Sequence, residues 1–209
     1  MQKRKLQSTR NSNIKSIIKR WTNLIDAFTK ELAPYGDAPF WYNERTNLGI
    51  LAGAVWQNGG YVLEEISIQN DFRDKKTTGR ADCCFRWMGQ NYIIESKQYW
   101  PPFSIKNFKL TENLNRKFDD IDKQIHKYAA PDEQLWGMIF VVPSLPKKQK
   151  NYVGEYIRNF TKSLINYKKL NRDISLAYVF PQSARELVYE EEGRIYPGVV
   201  LVGKDLGAK

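Results

Sequence analysis

The sequence has few of the residues on which most metal sites and covalent catalysts depend. It holds one histidine, His126, and two cysteines, Cys83 and Cys84, which are adjacent. A lone histidine argues against histidine-rich metal sites, against most catalytic triads and against nucleases that need a catalytic histidine. Adjacent cysteines rarely form a disulfide and lack zinc-site spacing, so we interpret both as small strand residues.

Long apolar runs are also missing. No stretch of about 18 or more apolar residues occurs, so no transmembrane helix and no membrane partner are expected. The basic N-terminal residues lack the apolar core of a secretory signal, and the expected compartment is therefore the cytoplasm. The chain has 209 residues, of which 42% are hydrophobic, and this is enough for one domain with a proper core.

Positive charge is abundant and unevenly placed. With 33 basic and 23 acidic residues the net charge is +10; seven basic residues lie within 1–20 and eight within 147–172. Basic clusters suit a polyphosphate partner, whereas the alternative is a solubilising surface with a disordered tail. We interpret residues 1–12 as a flexible basic arm in which Lys3, Arg4 and Lys5 bind nucleic acid, and residues 13–209 as a single domain.

Apolar spacing predicts the order of the elements. One helix begins near Ser12 or Asn13 and stops at Pro34, and a second follows Asn43, a suitable N-cap. The further predicted elements are strands at 61–69, 81–88 and 92–98, a long helix that ends before Pro131, a strand at 135–142, a helix at 152–164, and strands at 174–180, 188–189 and 199–202.

This order predicts an α/β fold with a mixed central sheet of about five to six strands, flanked by helices on both faces and preceded by an N-terminal helix. The first three strands can form a meander. The crossover through the long helix would place the fourth strand parallel to a neighbour. The nearly continuous apolar run at 135–142 is typical of a strand covered on both faces.

Three residues on two adjacent strands form a candidate catalytic site. Asp82 begins one apolar strand, and Glu95 and Lys97 end the next, which follows a tight turn at 89–91. Glu95 and Lys97 share a strand face, and Asp82 lies at a similar distance from the turn, so the two carboxylates can meet. Two carboxylates and the backbone carbonyl of Ser96 are suitable ligands for Mg²⁺, and Lys97 can orient or deprotonate a water. The alternative is a surface ion pair at the strand ends.

With Asp82, Glu95 and Lys97 in this context, the chain resembles the PD-(D/E)xK nuclease superfamily, which has the restriction-endonuclease-like fold. The resemblance covers roughly residues 40–142 and departs from the pattern in one respect, because Ala81 and not proline precedes Asp82. It implies a nuclease that cuts DNA, or RNA in some members, with Mg²⁺ or Mn²⁺.

The resemblance also implies roles for further residues. Glu44 matches a helical glutamate that assists at the metal site in many members; the alternative is a carboxylate favoured by the helix N-terminal dipole. Gln124 and Tyr128 match a Gln-x-x-x-Tyr element of the recombination-exonuclease branch and would contact the DNA strand. The alternative is a core tyrosine beside a surface glutamine. After the catalytic strand, Trp100 and Phe103 can stack on bases or simply pack.

The expectation from the sequence is therefore a Mg²⁺-dependent deoxyribonuclease. Two alternatives stay open: a nucleic-acid-binding module that keeps this fold without turnover, and an unrelated basic α/β protein such as a ribonucleoprotein subunit. The partner would be DNA, with RNA as the second choice. A homo-oligomer and a larger defence, transposition or repair complex are both compatible with the sequence.

Overall fold

The computed structural model of the chain describes residues 3–7, 14–70, 77–127, 130 and 133–208. The α-helices in these ranges are α1 (Lys15–Leu32), α2 (Glu44–Gln57), α3 (Asn107–Ile125) and α4 (Val153–Leu170). The strands of the main sheet are β1 (Lys3–Gln7), β2 (Tyr61–Asn70), β3 (Thr77–Trp87), β4 (Gln90–Tyr99), β5 (Gln134–Val141), β7 (Ile174–Phe180) and β9 (Val199–Ala208). Two further short strands, β6 (Leu145–Pro146) and β8 (Arg194–Ile195), pair with each other.

The main sheet has the strand order β1-β7-β9-β5-β4-β3-β2. β4 and β5 run parallel, and every other neighbouring pair is antiparallel. The predicted α/β class, with a mixed sheet, flanking helices and an N-terminal helix, is thus confirmed. The predicted β2–β3–β4 meander and the parallel crossover through α3 are also present.

Helices cover both faces of the sheet. Apolar residues of α1 and α2 are buried against one face, and those of α3 and α4 against the other. The sequence of β5 is continuously apolar because both of its faces are covered. Trp136, Met138 and Phe140 pack in the core on the α1 and α2 face, whereas Ile139 and Val141 pack in the core on the α3 and α4 face. The predicted N-cap of α2 is present too, since Asn43 Oδ1 accepts a hydrogen bond from Thr46 N at 3.2 Å.

One glycine lets α3 approach the sheet next to the candidate site. Gly137 of β5 is the register partner of Glu95 on β4. A Cβ atom at Gly137 would lie 2.9 Å from Ile121 Cγ2 and 3.2 Å from Phe118 Cδ1, so a side chain there would push α3 away. The close packing of α3 over β4 and β5 therefore depends on this residue.

The structure differs from the sequence prediction at both ends of the chain. Lys3–Gln7 forms an edge strand paired with β7, whereas a flexible arm was expected over residues 1–12. β7 offers unpaired backbone groups at its edge, and a polar segment can pair there without an apolar pattern. At the other end, β9 is ten residues long and lies between β5 and β7, where a four-residue late strand was predicted. No 188–189 strand forms; Tyr189 makes only an isolated bridge with Arg194.

None of the helices in the described ranges has the length and apolar character that a membrane span requires.

Candidate active site

The candidate site lies where β3 and β4 stop pairing. Their ladder runs from Trp87 and Gln90 to Cys83 and Ile94 and then ends, while β3 continues to pair with β2. One step further along, Asp82 Oδ2 accepts hydrogen bonds from Ser96 N at 2.7 Å and from Ser96 Oγ at 3.1 Å. The carboxylate thus takes a backbone donor that a continued ladder would have used.

Glu95 and Lys97 form an ion pair beside this junction. Lys97 Nζ lies 3.1 Å from Glu95 Oε1; the Glu95 side chain is 3% exposed and that of Lys97 is 28% exposed. The residues alternate along β4 as predicted, so both side chains project from the same strand face. The ammonium group therefore stands between a buried carboxylate and solvent, where it can meet a ligand.

Glu44, the first residue of α2, belongs to the same cluster. Burial raises its pKa, and the negative charge of Asp82 raises the pKa further. Lys97, the backbone of Gln98 and the side chain of Ser96 act in the opposite direction, which shows that Glu44 lies within reach of all of them. The structure thus brings Glu44, Asp82 and Lys97 together, as the sequence predicted.

Two amide side chains connect α2 to the end of β4. Asn47 Nδ2 donates to Gln98 Oε1 at 3.2 Å, and Gln98 Nε2 donates to the Tyr42 carbonyl at 3.4 Å. Asn47 is fully buried, and its carbonyl accepts from Trp21 Nε1 at 3.3 Å. These contacts hold the first turn of α2, and with it Glu44, against β4. Sequence reasoning missed Asn47 and Gln98.

Lys117 on α3 is a second basic residue at the site that sequence reasoning missed. Burial lowers its pKa, Arg116 and Lys97 lower the pKa further, and Glu44 raises it. Its ammonium group lies 5.5 Å from the centre of the Tyr99 ring, two residues after Lys97. The available signal was its spacing: it lies seven residues before Gln124 and so shares a helix face with it.

The remaining predicted nucleic-acid contacts stand apart from this cluster or outside the described residues. Gln124 is exposed in the last turn of α3, about 10 Å along the helix axis from Lys117 at 1.5 Å per residue. Tyr128 lies outside the described residues. Lys3, Arg4 and Lys5 lie on β1, four positions from β4 in the sheet.

The basic segment at 147–172 is partly neutralised. Lys147 Nζ lies 3.0 Å from Glu190 Oε1, and Lys150 Nζ lies 4.0 Å from Glu186 Oε2. Its helical part, α4, packs on β7, which is three positions from β4 in the sheet. At about 4.8 Å per strand this is roughly 14 Å from β4, so α4 flanks the candidate site and does not line it.

The cysteines and Phe103 have structural roles. Burial raises the pKa of the Cys83 thiol, and it raises the pKa of Cys84 to about 12, so neither is a thiolate nucleophile near neutral pH. Both are free and lie on β3, and their place there confirms the interpretation as strand residues. Phe103 is buried and packs against Phe160 and Phe180, whereas Trp100 is 40% exposed. Base stacking by Phe103 is therefore excluded by its burial.

The donors at the site fit a hard divalent cation in their chemistry. Asp82 and Glu95 supply carboxylate oxygens, and Ser96, which follows Glu95 on β4 and donates a hydrogen bond to Asp82, supplies a backbone carbonyl. Burial is the main cause of the raised pKa of Glu44, and the nearby charge of Asp82 adds to it. Within the described ranges, no three His, Cys, Asp or Glu side chains are grouped closely enough to bind a metal by themselves. The fit therefore depends on two carboxylates and a main-chain oxygen.

Comparison of the chain with family models, with curated proteins and with solved structures found no match in any of the three.

Proposed function

We propose that the chain is a divalent-metal-dependent nuclease with a restriction-endonuclease-like core, and that DNA is its substrate. One observation carries the proposal: the Asp82 carboxylate is hydrogen-bonded to Ser96 N at the point where β3 and β4 separate, directly beside the Glu95–Lys97 ion pair. Two carboxylates and a lysine near one strand end are groups that metal-dependent phosphodiester hydrolysis can use.

Each residue of the candidate site would have a separate role in hydrolysis. Asp82, Glu95 and the Ser96 carbonyl would hold Mg²⁺ or Mn²⁺, which when bound supplies positive charge that polarises the scissile phosphate. Lys97, held by Glu95 Oε1 at 3.1 Å, donates a hydrogen bond to the attacking water or to a phosphate oxygen. Glu44 assists as a proton acceptor, because its raised pKa makes the ionised carboxylate a stronger base.

Charge supports a nucleic acid as the substrate. The net charge is +10, and Lys117 adds a cation from α3 to the opening that contains Lys97. Counterion release on contact with phosphates would then contribute much of the affinity. The choice of DNA over RNA follows from the resemblance of Asp82, Glu95 and Lys97 to the PD-(D/E)xK pattern.

Metal binding separates this proposal from an unrelated basic α/β protein. Titration of the protein with Mg²⁺ and Mn²⁺ by calorimetry should show saturable binding that Asp82→Asn abolishes. Asp205→Asn is the matched control, since Asp205 Oδ1 also accepts a backbone hydrogen bond, from Gly207 N at 2.9 Å, but lies on β9. Identical binding by wild type and Asp82→Asn would contradict the proposal.

A further inference from the structure

Four aromatic side chains surround a small cavity beyond the end of β4. Trp41, Trp100, Tyr189 and Tyr196 line a space of about 310 Å³ together with Glu192. This volume is near the lower limit of ligand pockets, which run from about 300 to 1,000 Å³. The cavity therefore suits a small group and not a large cofactor.

The rings are arranged as the walls of a box. Trp41 and Tyr189 have ring centres 5.6 Å apart at 76°, and Trp100 and Tyr196 have centres 5.4 Å apart at 83°. Tyr189 and Tyr196 are 6.4 Å apart at 75° and connect the two pairs. None of these three contacts is a parallel pair that could sandwich a flat base between two rings.

The box is held rigidly on the fold. Trp41 Nε1 donates to the Tyr196 carbonyl at 3.0 Å, and Tyr196 itself is 7% exposed. Tyr189 is fixed by two backbone hydrogen bonds with Arg194, at 2.8 and 3.3 Å, which close the loop that carries Glu192. Trp100 follows directly after β4 and is 40% exposed, so the box is open on its side. The cavity is preformed, which limits the entropy lost on binding.

The local charge is negative although the chain is basic. Glu192 lines the cavity and accepts a hydrogen bond from the Tyr196 hydroxyl, while Glu191 accepts one from the Tyr189 hydroxyl at 3.1 Å. Burial and the hydrogen bond to Glu192 raise the pKa of Tyr196 to about 12, although Arg194 opposes this. The hydrogen bond to Glu191 raises the pKa of Tyr189. A cation is favoured here, and a phosphate is not.

We propose that the box formed by Trp41, Trp100, Tyr189, Tyr196 and Glu192 binds a methylated ammonium group. Such a group is apolar on its surface and loses little hydration on entering an aromatic box, while its charge is attracted by the ring faces and the carboxylate. A bare ammonium is strongly hydrated and would find few acceptors. The inference is independent of the nuclease proposal, because it uses none of the residues assigned to catalysis.

The test compares two ligands of nearly the same shape, choline and the uncharged 3,3-dimethylbutan-1-ol, by NMR titration of the full chain. Choline should bind at least about fivefold more tightly, as expected for a desolvated cation–π site. A second pair, acetylated trimethyllysine amide and acetylated lysine amide, tests whether the methylated ammonium group can come from a lysine side chain and not only from a free molecule such as choline. The trimethylated member should bind more tightly than the unmodified one.

Variants connect the binding to the box. Trp100→Ala and Glu192→Gln should each weaken choline binding by about fivefold or more. Trp56→Ala is the matched control, because Trp56 is 54% exposed and makes a perpendicular ring pair with Tyr61 outside the box. The proposal would be overturned if choline and the uncharged alcohol bound with equal affinity, or if Trp56→Ala weakened choline binding as much as the box variants do. Tighter binding of dGMP than of choline, or no binding of either methylated ligand, would also overturn it.

Discussion

Asp82 and Ser96 are joined across the gap between β3 and β4: Asp82 Oδ2 accepts hydrogen bonds from both Ser96 N at 2.7 Å and Ser96 Oγ at 3.1 Å. The backbone of β4 thereby fixes the position of a carboxylate on β3. Because Ser96 lies between Glu95 and Lys97 on β4, these hydrogen bonds hold Asp82 close to the strand segment that carries the other two charged residues.

This relationship predicts different results for two substitutions of Asp82. Asp82→Asn keeps an oxygen that can accept from Ser96 N and should leave stability close to wild type. Asp82→Ala leaves the buried Ser96 N–H without that acceptor and should cost about 1–3 kcal/mol of unfolding free energy. Urea denaturation of both variants provides the measurement. Equal stability of the two would show that the hydrogen bond contributes nothing to the fold.

The Glu95–Lys97 ion pair should couple the two residues energetically. Lys97→Met should destabilise the protein, because the nearly buried Glu95 carboxylate loses a cation at 3.1 Å. In the double variant Glu95→Gln/Lys97→Met the loss should be smaller than the sum of the single effects, by about 1–2 kcal/mol. Additive effects in urea denaturation would contradict the pair.

Lys97 also gives a prediction for turnover. Lys97→Arg keeps the charge but has a larger, planar head that holds its proton, so it should not restore the activity lost in Lys97→Met. Single-turnover rates on a fixed DNA substrate are the measurement. Normal cleavage by the arginine variant would show that Lys97 acts only as a phosphate contact.

Glu44 should make the fold less stable as pH rises. Its pKa in the folded protein is raised above the ordinary 4.5, so the protonated form is favoured by folding, and this stability is lost as pH climbs from 4.5 through the raised value. Glu44→Gln should remove that loss and be more stable than wild type at pH 7 in EDTA. Thermal melts at several pH values measure it, with the exposed Glu31→Gln as control. A destabilised Glu44→Gln at pH 7 would contradict the account.

Lys117 should contribute to DNA affinity through charge. Lys117→Gln should weaken binding and reduce the slope of log affinity against log salt by about 0.9, the value for one phosphate contact. Lys123→Gln changes an exposed lysine six residues further along α3 and should change neither. If both variants behave alike, the opening next to Lys97 is not where the phosphates lie.

The sequence predicted where the candidate residues lie on β3 and β4 better than it predicted the contacts that they make. Strand periodicity and the turn at 89–91 were enough to bring Asp82 near the end of β4, where it contacts Ser96, and to put Glu95 and Lys97 on one face, because both follow from local rules. The end of the ladder at Cys83 and Ile94 could not be predicted, since it depends on Asp82 competing with the backbone of β3 for Ser96 N.

Residues that join the site from distant elements were also beyond sequence reasoning. Lys117 and Asn47 reach the site only because α3 and α2 pack on opposite faces of the sheet. Apolar periodicity indicates which helix face packs on the sheet, but it does not show which helix residues lie next to which strand residues. β9 was underestimated for a similar reason: its last residues, such as Lys204 and Asp205, are polar, yet they pair with β5. Backbone pairing there does not require an apolar pattern.

Cleavage of DNA is the measurement that tests the central claim most directly. Linear and circular duplex DNA should be incubated with wild type, Asp82→Asn and Asp205→Asn in Mg²⁺, in Mn²⁺ and in EDTA. The account predicts products from wild type and Asp205→Asn in either metal, none in EDTA, and a rate reduced by about a hundredfold or more in Asp82→Asn. Equal cleavage by Asp82→Asn, or binding of DNA without any cleavage in either metal, would contradict it.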